Sequence, residues 1–243
     1  MSNNELIREQ AISNKELVCL IEQTVKEVDC NYYNWENPHD FLNSNNIQYG
    51  ERVFCYEFYH HLKKHLFESN EEPFPPLFTS YRLDGEIGKN MDETIFTEIA
   101  KNILGRKWKN AFNTNRSSSR KLSGVIPDLV IHERQANRYT GQKCIIEVKS
   151  HLDTTIKQQR LSSSTIKSIQ RDITKLVYGI EQWNYELGIF ICINNKFDSI
   201  AKCIRENFSH SDIKMETYSR IYVIGGNHGT INKSRLSDIL GMG

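Results

Sequence analysis

No apolar run in this chain approaches the roughly 20 residues that a membrane-spanning helix requires, which sets aside a helical membrane span. The opening residues, Met1-Ser2-Asn3-Asn4-Glu5, lack the basic-then-apolar order of a signal peptide, so a cytoplasmic location is the expectation. The six cysteines (Cys19, Cys30, Cys55, Cys144, Cys192, Cys203) show no C-x-x-C spacing and stand mostly in apolar contexts. They read as reduced core residues, not as zinc ligands or a disulfide frame. Excess charge is lacking as well: 31 basic against 30 acidic residues leave a formal net charge of +1, so any affinity for a polyanion has to come from local distribution.

What is present is ordinary for a globular protein: 243 residues, 38% hydrophobic and 25% charged, enough for one large domain with or without an appendage. Leu17, Leu20, Ile21, Thr24, Val25 and Val28 recur at helical spacing behind a capping Ser13 or Asn14. The Asn-rich stretch from Asn31 to Asn46 reads as an irregular connection, which leaves residues 1–48 as a helical extension and 49–243 as the main domain. A second helix, Gly50 to Phe67, carries Phe54, Phe58, Leu62 and Leu66 as a stripe, with Glu57 on its flank. Glu51 lies on the centre line of that stripe, but in the first turn, where the helix dipole also accounts for an acid. His61 and His65, one and two turns beyond Glu57, read as partly buried histidines and not as zinc ligands.

Pro73, Pro75 and Pro76 force a sharp connection, and Leu77 to Lys89 reads as a strand with a glycine-containing turn. Asp92 is placed to cap a helix that holds Ile95, Ile99 and Ile103 and stops at Gly105. Further on, Ser164 to Ile180 is amphipathic, with Lys167, Arg171 and Lys175 as a row on its polar face. The continuous apolar run Leu187 to Ile193 reads as a strand buried on both faces, followed by a short helix from Phe197 and a last strand, Arg220 to Ile224. Strand, helix, strand at this spacing implies a crossover, hence an α/β fold with a mixed central sheet flanked by helices.

Chemistry concentrates between Ile126 and Ser150. In Cys144-Ile145-Ile146-Glu147-Val148-Lys149 the alternation of a strand puts Glu147 and Lys149 on one face and Ile146 and Val148 on the other. Asp128 leads the β-branched run Leu129-Val130-Ile131, and Asn137 and Gly141 suit a turn between the two runs. An antiparallel pairing brings Asp128 beside Glu147, where two carboxylates repel unless a cation lies between them; Mg²⁺ or Mn²⁺ bound through carboxylates and a substrate phosphate is the natural occupant. Lys149 on the same face is placed to orient or deprotonate a water, or to stabilise the charged transition state.

Two acid-free basic stretches flank this centre. Arg106, Lys107, Lys109, Arg116, Arg120 and Lys121 lie between Gly105 and Gly124, and Lys157, Arg160, Lys167 and Arg171 lie between Thr154 and Arg171. Such residues neutralise phosphates and release counterions, and together they favour a nucleic-acid substrate.

Pro127-Asp128, followed nineteen positions after the acid by Glu147-Val148-Lys149, resembles the PD-(D/E)xK nuclease superfamily, the fold of many restriction enzymes and Holliday-junction resolvases. Tyr56 to Leu62, Leu83 to Lys89 and Asp172 to Leu176 are similar to ordered blocks of uncharacterised bacterial members. The resemblance, over roughly residues 50 to 195, implies a restriction-endonuclease-like core and a carboxylate from the first core helix, for which Glu57 is favoured over Glu51. It also implies Glu86 as a further acid and the Val148 carbonyl as a metal ligand. The expectation is a Mg²⁺-dependent deoxyribonuclease, with DNA favoured over RNA and a homodimer or larger assembly left open. Two rivals stand beside it: a nuclease-fold subunit that binds nucleic acid without cleaving it, and a structural domain in which Glu147 and Lys149 form a solvated cross-strand ion pair.

Overall fold

The apolar run Leu187–Ile193 leaves neither face of its pleat for water, and it forms a strand that is buried at every position. Around it the computed structural model, which describes residues 12–32, 47–67, 81–85, 91–112, 127–133, 140–150, 161–208 and 214–242, builds a six-stranded mixed sheet. The strands are β1 (Tyr81–Gly85), β2 (Leu129–Glu133), β3 (Gln142–Ser150), β4 (Leu187–Ile193), β5 (Ile221–Gly226) and β6 (Asn232–Arg235), adjacent in chain order. The pairings β1–β2, β2–β3 and β5–β6 are antiparallel, whereas β3–β4 and β4–β5 are parallel.

Parallel neighbours need a crossover. The first is α5 (Ser163–Trp183) and the second is α6 (Phe197–Asn207) followed by α7 (Met215–Ser219). These helices, with α3 (Glu93–Leu104), α4 (Trp108–Phe112) and α8 (Leu236–Ile239), cover one face of the sheet and share a core with Val130, Ile145, Phe190 and Val223. The opposite face, with Ile131, Ile146, Val148, Ile189 and Ile191, packs against α1 (Asn14–Glu27) and α2 (Ile47–Phe67).

Local signals account for much of this. Ser13 and Glu16 close a capping box on α1. Asp92 caps α3 by accepting from the Thr94 and Ile95 amides, and Gly105, at φ 52°, ends it. The stripe Phe54, Phe58, Leu62 and Leu66 of α2 is fully buried, each side chain contributing about 1.5–3 kcal/mol. On α5, Ser162 caps the first turn and Asn184, in the left-handed region at φ 57°, stops the last. A Cβ at Gly179 would lie 2.9 Å from Ile145 Cδ1, so this glycine lets α5 lie close on β3.

Several expectations need correction. The division at residue 48 falls inside α2, and Leu17, Val18, Ile21, Val25 and Val28 of α1 belong to the same core as β1 to β5, so the helical extension is a layer of the domain. The strand read over Leu77 to Lys89 is described only as Tyr81–Gly85, its other residues lying outside the described ones. β6 was not foreseen, because Asn232-Lys233-Ser234-Arg235 has no apolar alternation; it is an edge strand, for which polar and charged residues are suited. Of the cysteines, only Cys144, Cys192 and Cys203 are buried, while Cys19 and Cys30 are exposed.

Parallel pairing sets Gly225 of β5 beside Cys192 of β4, where a Cβ would meet the Cys192 carbonyl oxygen at 2.5 Å and Ile200 Cδ1 at 2.9 Å. Gly225→Ala is therefore expected to destabilise the fold by about 1–3 kcal/mol, read as a lower urea midpoint at unchanged slope. An unchanged midpoint would contradict this register.

Candidate active site

Asp128 sits directly ahead of β2, and the pairing of Leu129 with Ile146 aligns it with Glu147 on β3. Its Oδ2 accepts a hydrogen bond from the Val148 amide at 2.7 Å, so the carboxylate is fixed at the end of the β2–β3 ladder. Burial pushes the Asp128 carboxyl up to about 6, reinforced by the Asp172 carboxylate and opposed by the Val148 amide and the ammonium groups of Lys175 and Lys149. The antiparallel pairing expected for this segment is therefore present.

Glu147 and Lys149, two apart on β3, share the face covered by α5. Glu147 is 1% exposed, and its Oε2 accepts from Lys175 Nζ of α5 at 2.8 Å. Lys175 also lies 3.1 Å from Asp172, one turn earlier on the same helix, and the second oxygen of Asp172 is 3.5 Å from Lys149 Nζ. Lys149 in turn donates to Glu51 Oε1 at 3.1 Å, while Glu51 Oε2 accepts the Ser150 amide at 3.2 Å. The result is an alternating chain of charges, Glu51–Lys149–Asp172–Lys175–Glu147, that runs from α2 past β3 to α5.

Of the two helix acids weighed from the sequence, the structure brings Glu51, and not the favoured Glu57, to Lys149. Glu51 meets Lys149, whereas Glu57, six residues along α2, is turned to His61 at 3.7 Å. Six residues on a 3.6-residue helix put Glu57 about a third of a turn round from Glu51 and about 9 Å further along the axis, which separates the two acids. Lys175 also departs from the polar row it shares by spacing with Lys167 and Arg171, since it is drawn inward by Glu147 and Asp172. Asp172 and Lys175 had no site role in the sequence reading. The available signal was Asp172 itself, an acid on the apolar side of α5 between Ile169 and Ile173 and Leu176.

Burial opposes both ammonium groups, yet the carboxylates of Asp172 and Glu51 hold Lys149, and those of Glu147 and Asp172 hold Lys175, above the usual lysine range. Both are therefore cations at neutral pH. Lys149 can stabilise negative charge and orient a polar group, but it is not poised to take a proton, which narrows the roles read from the sequence.

Four carboxylates (Glu51, Asp128, Glu147, Asp172) against two ammonium groups leave two negative charges when all are ionised. Burial pushes the Glu147 carboxyl up, with the Lys175 ammonium opposing and Asp172 and Asp128 adding to the shift. Glu147 Oε1 is buried without a hydrogen-bond partner. Among the described residues, no three His, Cys, Asp or Glu side chains are grouped so that they could hold a metal ion. The donors are hard oxygens, with two more carboxylates than ammonium groups, which fits a divalent cation of the Mg²⁺ type; Asp128 and Glu147 would hold it, and the Val148 carbonyl is the further ligand that the family resemblance implies.

The basic residues fare differently. Arg106, Lys109 and Lys167 are exposed. Lys107 donates to the Glu206 carbonyl and, at 3.3 Å, to Asn207 Oδ1, and Arg171 Nε donates to the Ala111 carbonyl at 2.6 Å, so these two tie α6 and α4 to their neighbours. Arg116, Arg120, Lys121, Lys157, Arg160 and Glu86 lie outside the described residues.

Comparison with known proteins finds no matching family model, no matching curated protein and no matching solved structure. The residues must speak for themselves. Among the described residues no helix is long and apolar enough to cross a membrane.

The raised Asp128 carboxyl carries a pH signature. Its folded value of about 6 stands above the ordinary 3.8, so the folded state holds the proton more tightly, and stability falls as pH rises from 3.8 toward 6. Glu147 acts in the same direction. With divalent ions chelated, Asp128→Asn is expected to gain stability relative to the wild type as pH is raised from about 4 to about 7, measured by urea unfolding at each pH. Parallel stability curves for the two proteins would refute the assignment.

Proposed function

We propose that the chain is a metal-dependent nuclease that hydrolyses phosphodiester bonds in DNA, with a restriction-endonuclease-like core. The observation that carries this reading is the gathering of Asp128, Glu147, Lys149 and Glu51 where β2, β3 and the start of α2 converge, in a cluster with two more carboxylates than ammonium groups once Asp172 and Lys175 are counted. The residues Pro127-Asp128 and Glu147-Val148-Lys149 that resemble the PD-(D/E)xK superfamily are the same ones that assemble there, and the helix acid implied by that resemblance is supplied by Glu51.

Each residue then has a physical task. Asp128 and Glu147 hold the cation, and the Val148 amide fixes the Asp128 carboxylate for it. Bound Mg²⁺ or Mn²⁺ supplies Lewis-acid polarisation of a phosphate oxygen and a water of lowered pKa. Lys149, kept as an ammonium, faces the charge that develops on the phosphoryl oxygens. Asp172 and Glu51 are positioning residues: they hold Lys149 from two sides, so its rotamer is set before substrate arrives.

A second reading is favoured by one contact. Lys175 already neutralises Glu147 at 2.8 Å, which is how a nuclease fold that only binds nucleic acid, as a subunit of an assembly, would satisfy that carboxylate without metal.

Linear, circular, single-stranded and branched DNA incubated with Mg²⁺ or Mn²⁺ separate the two. Under the nuclease reading, Asp128→Ala and Lys149→Ala lower cleavage by roughly 100-fold or more while the far-ultraviolet circular dichroism is retained. Glu51→Gln lowers it as well, and Glu57→Gln leaves it near the wild-type rate. Full activity in Asp128→Ala or Lys149→Ala sinks the nuclease mechanism. DNA binding that persists in EDTA, with no cleavage under any condition, establishes the binding subunit instead.

A further inference from the structure

A cleft of about 420 Å³ opens beside the charged chain, lined by Glu51, Arg52, Cys55, Tyr56, Tyr59, Gly85, Asp128 and Leu129. Its size is within the range of about 300–1,000 Å³ usual for small-ligand sites. One wall is a second stripe of α2: Arg52, Tyr56 and Tyr59 stand at i, i+4 and i+7, beside the stripe that the helix buries in the core. Tyr59 is braced, its hydroxyl donating to the Leu83 carbonyl at 3.3 Å.

Tyr56 is the more open of the two rings. It is 69% exposed, and only it and Met215 are large hydrophobic residues that stand open to solvent among the described residues. An aromatic ring held on a rigid helix beside a cleft of mixed polar and apolar lining, four residues from an exposed arginine, has the composition of a stacking platform for a nucleobase with a cation for its phosphate. The inner end of the same cleft is formed by two of the carboxylates described above, Glu51 and Asp128. The Cys55 thiol on its lining is pushed up by burial and by the Asp128 and Glu51 carboxylates, so it stays protonated and serves as apolar lining.

We propose that this cleft binds one unstacked nucleotide of a single-stranded segment, its base against Tyr56 and its phosphate on Arg52. The proposal rests on the nuclease reading for the direction in which the strand runs, toward Asp128, and it names the substrate class: single strands or frayed ends in preference to closed duplex. A base inside a duplex shows only its edges, and its faces are covered by its neighbours. A ring such as Tyr56 can use a base only once that base has left the stack.

The test measures binding in EDTA, where cleavage cannot interfere. Fluorescein-labelled oligo(dT) and a blunt duplex of the same length are titrated by fluorescence anisotropy with the wild type, Tyr56→Ala, Tyr56→Phe and Arg52→Ala. Expected are tighter binding of the single strand, a loss of about 10-fold or more in Tyr56→Ala, as for one base–aromatic stack, and near wild-type affinity in Tyr56→Phe. Arg52→Ala is expected to weaken single-strand binding and to reduce its salt dependence. Tyr56 is exposed, so loss of fold does not confound its variants. Unmeasurable single-strand binding by the wild type, or equal affinity of Tyr56→Ala and wild type for the single strand, overturns the proposal. Tyr56-dependent binding without cleavage in Mg²⁺ or Mn²⁺ upholds the cleft and removes the nuclease reading. Asp128-dependent cleavage with Tyr56→Ala binding unchanged does the reverse.

Discussion

A carboxylate placed on a central strand with 1% of its surface exposed must find a cation, and Glu147 is that carboxylate. Lys175 supplies it from α5, which has to lie close over β3 for the ammonium to reach, and Gly179 one turn further on permits the approach. Lys175 is itself largely buried and takes Asp172 as a second partner; Asp172 takes Lys149; Lys149 takes Glu51. Satisfying one buried charge therefore links the helices on opposite faces of the sheet, α5 on one and α2 on the other, at the end of β3.

Such a chain is weak as an explanation of stability alone. Desolvating five charged groups costs several kcal/mol for each ion, and well-packed apolar residues of similar volume are often as stable. The chain also leaves Glu147 Oε1 without a hydrogen bond, and counting Asp128 it carries two more carboxylates than ammonium groups. A purely structural ion-pair network would be expected to close its charge balance. An excess of carboxylates at one buried point is what a site for a cation requires; burial first, and the neighbouring carboxylates after it, push Asp128 and Glu147 up.

The strands and the Asp128–Glu147–Lys149 centre were legible because they depend on short-range pattern. Period-2 alternation fixed the faces of β3, a continuous apolar run marked β4, and β-branched residues behind Asp128 marked β2. The capping signals of Ser13, Asp92 and Gly105 were equally local. What escaped was decided by tertiary approach. Glu51 and Glu57 are both acids near one stripe of α2, and only the packing of that helix against the end of β3 selects Glu51. Lys175 belongs by spacing to a polar row with Lys167 and Arg171, but the helix is rotated so that it points at Glu147, and Arg171 is used to hold α4. β6 carries no pattern of its own and exists because β5 offers an open edge.

Helix α2 shows how much a single element can be asked to do. Its Phe54, Phe58, Leu62 and Leu66 stripe anchors it to the sheet, and that anchoring is what makes its other faces precise enough to carry chemistry. Glu51, on the line of the buried stripe one turn before Phe54, reaches Lys149 and the Ser150 amide, while Arg52, Tyr56 and Tyr59, about a quarter-turn round, line the open cleft. Because Glu51 belongs to both sets, a ligand that enters along the Tyr56 wall is led to the carboxylates by the geometry of one rigid helix. The charged centre and the cleft are thus two ends of one surface; under the proposed nuclease reading, a nucleotide that spans them would set its base on Tyr56 and reach the carboxylates only through the cation that they would hold.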